Sequence, residues 1–592
     1  MALQNELQEL EQTKDSKKID SLQMEITRIF QNTNFSRTIW AYHTITDTWS
    51  RRGEIPGSTQ LVADAEQWGD QIIIAYGEIA PGIRTPQINK INIQPQRADF
   101  GLVNYITLIT YLALVIGIGW YFSRRNNSTS DFFLAGGRIP WWAAGLSIYA
   151  TMLSAITYLS QPALAYSYDW QAYLGYFTIL LIVPIVITYY LPFFRKLNIT
   201  TAYEYLEKRF NIVIRIFGSA SFLFFQLARM GVVLYLPALA LSTVVGIDIY
   251  LAIVLMGVLA ILYTVLGGIE AVIWTDVIQV VVLIGGLILG LIYIAVDIGD
   301  LGYIFNTALE DGKLKLFDFR WSWTEVVTWS LFLGSFALNF APYTTDQAVV
   351  QRYLTTADEA ASRKSIWLNG IISIPAGLLI FAMGTFLYVF FKDNPDFIAV
   401  GMQNDGIFPL FIANHLPPGV AGLVIAGIYS ASMSSLDSSM HSVSTVVTID
   451  YYKRFSNNYS EDNAMRVAKW VTIGVGVLGT GVACFMAAFP IASLFFFFQE
   501  IVGLFGSALA SIFILGIFFR KANWAGTLVG AVLSVIVLVL VKYYTPLNFY
   551  IYPLIAIPVC VIGGYVASLL IPVQNNITEN LVYSKKAIKQ NN

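Results

Sequence analysis

Apolar and polar positions divide this chain at about residue 100. From Phe100 to Ile571, long apolar stretches follow one another with short polar breaks. Crossing a hydrocarbon core of about 30 Å takes about 20 residues of helix, and the pattern predicts thirteen spans, near residues 101–122, 141–165, 171–194, 213–244, 248–267, 271–297, 326–348, 366–391, 417–450, 466–489, 493–519, 522–541 and 549–572. Before them the period changes. Residues 1–37 are polar, with weak helical periodicity in "LQMEITRIF". Residues 38–99 alternate apolar and polar side chains between Gly, Pro and Asp turn signals, as in "TIWAYHTITDTWSRRGEIPG" and "DQIIIAYGEIAPGIRTPQINKINI", which reads as short strands. A polar tail, 573–592, closes the chain. The fold class is an all-α polytopic membrane protein, residues 100–572, with a small β-rich N-terminal segment.

Composition agrees: 56% of the 592 residues are hydrophobic and 12% charged, against about 25% charge in soluble domains. A formal net charge of −2 gives no basic excess for a nucleic-acid partner. The two cysteines, Cys484 and Cys560, lie in apolar runs and supply neither a disulfide framework nor a cysteine metal site. Lys and Arg fall unevenly on alternate loops. Twenty, from Arg124 and Arg125 through Arg352 to Lys589, lie on the side reached after the first span, and five, Lys313, Lys315, Arg320, Lys392 and Lys542, on the other. Short cytoplasmic loops retain positive charge, so the C-terminus is expected in the cytoplasm and the first hundred residues outside. "MALQNELQEL" has no basic region followed by an apolar one; an exported segment of this size is expected to be the downstream part of a longer precursor, or to have a misassigned start.

Charge inside a span costs at least about 2.5–3.5 kcal/mol, so each such residue is a functional candidate. Four stand out: Arg229, Asp276, Asp437 and Glu500, the last with the plain alternative of a pair near a span's end. Asp437 lies in "SASMSSLDSSMHS", Ser430 to Ser442. On a helix Ser434, Asp437 and Ser438 fall at i, i+3 and i+4 and share one side. Small residues also permit close helix packing, but packing does not require a carboxylate. Hydroxyls of this kind hold a hard cation together with carbonyls of a broken helix. "WWAAGLSIYATMLSAITYLSQPALAY" is the candidate partner, interrupted by Gly145, Ser147, Thr151, Ser154, Thr157, Ser160 and Pro162. Arg229 favours an anionic solute, because a carboxylate offsets the cost of a buried guanidinium; an internal carboxylate or carbonyl is the alternative.

"ATMLSAITYLSQPALAY", "TAYEYLEKRFN", "GGIEAVIWTDVIQ" and "AGIYSASMSSLDSS", in that order, resemble the sodium:solute symporter family over roughly residues 100–572. The resemblance implies two inverted five-helix repeats with one leading and two trailing spans, in a bacterial inner membrane. It implies a sodium ion held by carbonyls of Ala150, Leu153 and Ala431 and hydroxyls of Ser434 and Ser435, with a possible second sodium at Asp276, Ser434, Asp437 and Ser438. Positions matching the solute pocket are Met152, Ser154, Thr157, Tyr176 and Arg229. The implied solute is small, organic and anionic, with sialic acid or a related sugar acid first. Against it, the family's sialic-acid branch has threonine and glutamine where this chain has Met152 and Tyr176, which leaves a different sugar acid, a neutral sugar or a monocarboxylate open; the branch also has serine where this chain has Asp437, which bears on the second sodium.

Residues 38–99 resemble a partial blade of a Kelch-type β-propeller, and within them "GEIAPGIRTP", Gly77 to Pro86, resembles a segment of the sialic-acid mutarotase branch. That raises a rival reading, a membrane-anchored fragment of a carbohydrate mutarotase. One blade cannot bury both its faces, and repeat folds need about three units, so a working mutarotase is not expected here.

Overall fold

A computed structural model describes residues 16–31, 36–69, 71–80, 83–92, 100–123, 129–197, 199–457, 460–489, 494–573 and 581–583. The chain divides into two units, Met1–Gln96 with Phe391–Met402, and Arg97–Phe390 with Gln403–Asn592.

In the smaller unit, helix Ser16–Gln31 precedes seven short strands. Thr38–His43 pairs antiparallel with Thr48–Glu54, Gln71–Ala75 lies between Asp64–Trp68 and Ile88–Asn92, and Glu78–Ala80 pairs with Ile83–Arg84. A propeller blade would be one four-stranded sheet, whereas the described residues form sheets of two, three and two strands. The Arg52 guanidinium ties the strands to the unit's second segment, donating to the carbonyls of Asp396 at 2.9 Å, Pro395 at 3.1 Å and Ile398 at 2.5 Å.

In the larger unit the named elements among the described residues are all helices. Ten of its described helices are long and apolar enough to span a membrane, from Gly101–Phe122 to Phe549–Leu570, and the bent pair Trp141–Met152 and Ala155–Ser167 makes up to eleven. Two of the thirteen expected spans fall short of that test. Residues 248–267 give the shorter apolar helix Ile249–Leu262, separated from Gly268–Ile298 by a kink at Gly268, whose φ of 63° and ψ of −175° break the helical path. Residues 326–348 give Thr328–Thr344, of 17 residues. Helix Gly101–Phe122 is 17% buried over its apolar window and lies at the outside of the bundle, whereas Val420–Phe455 is 89% buried and lies inside it.

The bent pair is seated by close backbone approach. A Cβ at Gly384, in helix Glu359–Asp393, would come within 2.3 Å of the Pro162 carbonyl and 2.6 Å of Ala165 Cβ. Backbone cannot yield as a flexible side chain would, and overpacking costs about 1–3 kcal/mol. Gly384→Val should therefore lower the thermal midpoint in detergent by several degrees. Gly117→Ala, where a Cβ meets nothing within 4 Å, should leave the midpoint unchanged or raise it; equal midpoints for the two variants would contradict the seating.

Candidate functional site

The pair Trp141–Met152 and Ala155–Ser167 bends by 58° between Met152 and Ala155. Leu153 (φ −79°, ψ 65°) and Ser154 (φ −70°, ψ 168°) leave helical geometry. The first half closes with Leu153 N–H on the Tyr149 carbonyl at 2.7 Å, and the second opens with Tyr158 N–H on the Ser154 carbonyl at 3.1 Å. The carbonyls between lose their helical partners, as at any helix end. Two have found others: Thr151 accepts from Arg229 Nη2 at 2.7 Å, and Met152 from the Thr157 hydroxyl at 3.3 Å. Ala150 and Leu153 are buried beside them.

Helix Val420–Val446 packs against both halves and is continuous through Ala431 and the serines. Its hydroxyls have distinct surroundings. Ser434 donates to the Asp276 carboxylate. Ser438 donates to the Ser434 carbonyl at 2.6 Å and accepts from Arg352 Nη2 at 2.5 Å. Ser435 Oγ is buried and has no hydrogen-bond partner among the described residues. A buried hydroxyl left unpaired is costly. Of the four residues expected to hold a second ion, Asp276, Ser434 and Ser438 converge on one another. Asp437 bonds to the Thr264 hydroxyl instead. At about 100° per residue, position 437 lies about 100° around the helix from 438, which is enough to face another neighbour.

The centre of this cluster escaped the sequence. Arg352 was counted among loop cations; it is 1% exposed, on helix Gln347–Leu354. Its Nε donates to Ser147 Oγ at 2.8 Å, Nη1 to the Ala348 carbonyl at 2.7 Å, and Nη2 to Asp276 Oδ2 at 3.2 Å. Ser147 donates to the same carboxylate. A second helix break was missed with it. Thr328–Thr344 ends, Thr345 (φ −136°, ψ −16°) and Asp346 (φ −74°, ψ 117°) leave the helix, and Asp346 caps Gln347–Leu354 by accepting from Ala348 N–H at 2.8 Å. The available signal was "APYTTDQ", a proline followed by an N-cap residue.

Three of the five expected solute residues, Met152, Thr157 and Tyr176, line a cavity of about 110 Å³. Gln161, Ser335, Asn339, Ser373 and Gln499 add polar groups, and Tyr149, Ile156, Phe498 and Tyr550 apolar ones. Tyr176 donates to the Gln161 amide oxygen and lies against Gly377, where a Cβ would meet its ring at 2.8 Å. Ser154 is buried at the break and Arg229 lies behind it; neither is in the lining. Arg229 instead has the Thr151 carbonyl and, 3.8 Å from Nη1, Asp346 Oδ2. Glu500 pairs with Lys542 Nζ at 2.9 Å near a span's end.

The family model of the sodium:solute symporters matches residues 132–534. The chain belongs to the sodium:solute symporter family. As a family member it is a sodium-coupled transporter rather than an enzyme, which sets aside the mutarotase reading. Among its relatives, the symporter is 38% identical over 494 residues to the sodium/sialic acid symporter NanT of Aliivibrio fischeri (83% of this chain, 97% of that one). It is 40% identical over 478 residues to the sodium/sialic acid symporter SiaT of Proteus mirabilis (80% and 96%). A solved structure described as the substrate-bound outward-open state of a Na+-coupled sialic acid symporter with a novel Na+ site superposes with a TM-score of 0.77 at 39% identity, over 81% of this symporter and 100% of that chain.

Removing one partner of a buried ion pair costs about 3–5 kcal/mol, whereas replacing both by neutral groups is far cheaper. In this symporter Arg352→Ala should strip most folded protein from a detergent extract, and Arg352→Gln with Asp276→Asn should restore much of it. Size-exclusion recovery checks this; a double variant no better than the single one would show that the pair is not what holds the cluster.

Proposed function

We propose that this symporter uses a sodium gradient to import a carboxylated sugar, with sialic acid as its solute. The observation that carries the reading is the Ser435 hydroxyl, unpartnered among the described residues, on a buried helix packed against a helix break, with a cavity walled by Met152, Thr157 and Tyr176 at that same break. Relatives bearing the sialic-acid name align over nearly their full lengths. In this reading the cargo sodium is held by the carbonyls of Ala150, Leu153 and Ala431 and the hydroxyls of Ser434 and Ser435, all oxygen donors suited to a hard cation. A second ion would sit at Asp276, Ser434 and Ser438, with Asp437 adding charge from its position beside Thr264. Met152, Thr157 and Tyr176 contact the solute's body, Ser154 lies at the break, and Arg229 takes the carboxylate.

The two short helices, Ile249–Leu262 and Thr328–Thr344 with its continuation, complete thirteen crossings, and the two broken helices are counterparts in inverted repeats. The C-terminus is cytoplasmic and the N-terminal segment external. Sodium entering first stabilises the outward-open arrangement, solute joins it, and the bundle rocks to release both inside. Each charge crossing 100 mV contributes about 2.3 kcal/mol to the work. One observation favours a second reading: Arg229 lies outside the cavity lining, and the lining itself has neutral polar groups fit for a neutral sugar.

Two measurements test the main reading. In proteoliposomes, labelled N-acetylneuraminate should accumulate with an inward sodium gradient and not with potassium alone; equal uptake in both would end the sodium assignment. Among the described residues Ser435 Oγ has no internal partner to lose, so Ser435→Ala should leave the sodium-free thermal midpoint unchanged or raise it. The same variant should raise the sodium concentration for half-maximal uptake by about fivefold or more, the loss of one polar contact. An unchanged sodium requirement would remove Ser435 from the site.

A further inference from the structure

We propose that Asp346 is an internal stand-in for the solute's carboxylate: it holds Arg229 until an acidic solute draws the guanidinium away, and so sets the preference between acidic and neutral solutes. This rests on the reading of Arg229 as the carboxylate-binding residue. It begins from an inequality of bonding. A guanidinium carries five N–H donors, and Arg229 is only 4% exposed. Its hydrogen bond among the described residues is Nη2 to the Thr151 carbonyl, at 2.7 Å. Its Nη1 stands 3.8 Å from Asp346 Oδ2, and its Nε is buried without a partner.

Asp346 is held without the arginine. It accepts from Ala348 N–H at 2.8 Å and from Gln226 Nε2 at 3.1 Å, and Gln226 is itself fixed by the Ser439 hydroxyl at 2.8 Å. The carboxylate therefore stays in place when the guanidinium leaves, and the arginine is the partner able to move. The place it would move to is near. Thr151, which it now contacts, is followed directly by Met152 and Leu153, both in the cavity wall. A solute carboxylate there offers two parallel hydrogen bonds of about 2.7–2.9 Å, a better match than the loose approach to Asp346. Binding an acid must still overcome the attraction of Asp346 for the arginine. A neutral solute leaves that pair undisturbed.

The test is calorimetry on the purified full-length protein in saturating sodium, with N-acetylneuraminate and its methyl ester as probes. Asp346→Asn keeps the helix cap, since asparagine caps as well as aspartate, and removes only the charge. It should bind the acid roughly three- to tenfold tighter, a common range for one pairwise coupling, and the ester unchanged. Asp346→Glu extends the carboxylate toward Arg229 and should weaken the acid selectively. The proposal falls if both compounds shift together in Asp346→Asn or if the acid weakens. Arg229→Gln separates the two levels. If it abolishes the preference for acid while Asp346→Asn leaves that preference untouched, only the role of Asp346 is lost. If Arg229→Gln leaves the ratio of acid to ester affinity unchanged, the carboxylate reading itself is wrong and this inference goes with it.

Discussion

Breaking a helix where water cannot reach leaves backbone carbonyls and amides unpaired, and irregular backbone at membrane depth is tolerated only where protein or a cavity supplies partners. Among the described residues the helical path breaks in this way at Leu153–Ser154 and at Thr345–Asp346. Much of the surrounding architecture follows from satisfying those breaks. At the first, a carbonyl is taken by Arg229 and another by Thr157; at the second, the Asp346 carboxylate takes an amide of the helix it opens. These partners are themselves polar or charged, so each needs further partners, and a connected polar core results in a bundle whose outer helices are apolar.

Two arginines carry most of that connection. Arg229 reaches from helix Ile212–Val245 to the first break and toward the second. Arg352 reaches from the helix after the second break to Ser147 before the first, to Asp276, and to Ser438 of the serine-rich helix. The planar guanidinium suits this work because its donors point in several fixed directions at once. A lysine in either place would concentrate its charge at one point and leave some of these acceptors bare. The same economy explains the serines: Ser147, Ser434 and Ser438 bring hydroxyls to Asp276 and Arg352 without the volume that would hold four helices apart.

The first break and the serine-rich helix were legible because small and hydroxylic residues interrupt apolar runs there, and composition alone betrays such interruptions. The second break was not, because "APYTTDQ" lies at the end of a span, where polar residues read as a loop. Arg352 was misplaced for the same reason, since hydropathy locates a charge along the chain and not in depth. Asp437 was grouped with Ser434 and Ser438 by spacing, but its offset around the helix turns it to Thr264, a residue 173 positions earlier. Arg229 was found by its charge, while its partners, 78 residues before it and 117 after it, follow from tertiary packing that no local pattern encodes. In the N-terminal unit the described residues form strands where side chains alternate, and their pairing into sheets of two, three and two strands depends on turn geometry that alternation does not encode.

Coupling between a cation and a solute is a free energy shared by two sites, and it requires an element that both bias. Under the proposed assignments that element is very short. Ala150 and Leu153 face the sodium, Thr151 holds the solute's arginine, and Met152 and Leu153 line the cavity, so four consecutive residues serve the two sites between them and Leu153 serves both. An ion that fixes the carbonyls of Ala150 and Leu153 fixes the peptide planes between them, and with them the Thr151 carbonyl and the Met152 side chain. The entropy of ordering this stretch, about 1–2 kcal/mol per residue, is then expended once by the ion and not again by the solute. Cooperativity of that origin needs no relay through the bundle, and it is strongest when the backbone between the two half-helices is free to move before sodium arrives.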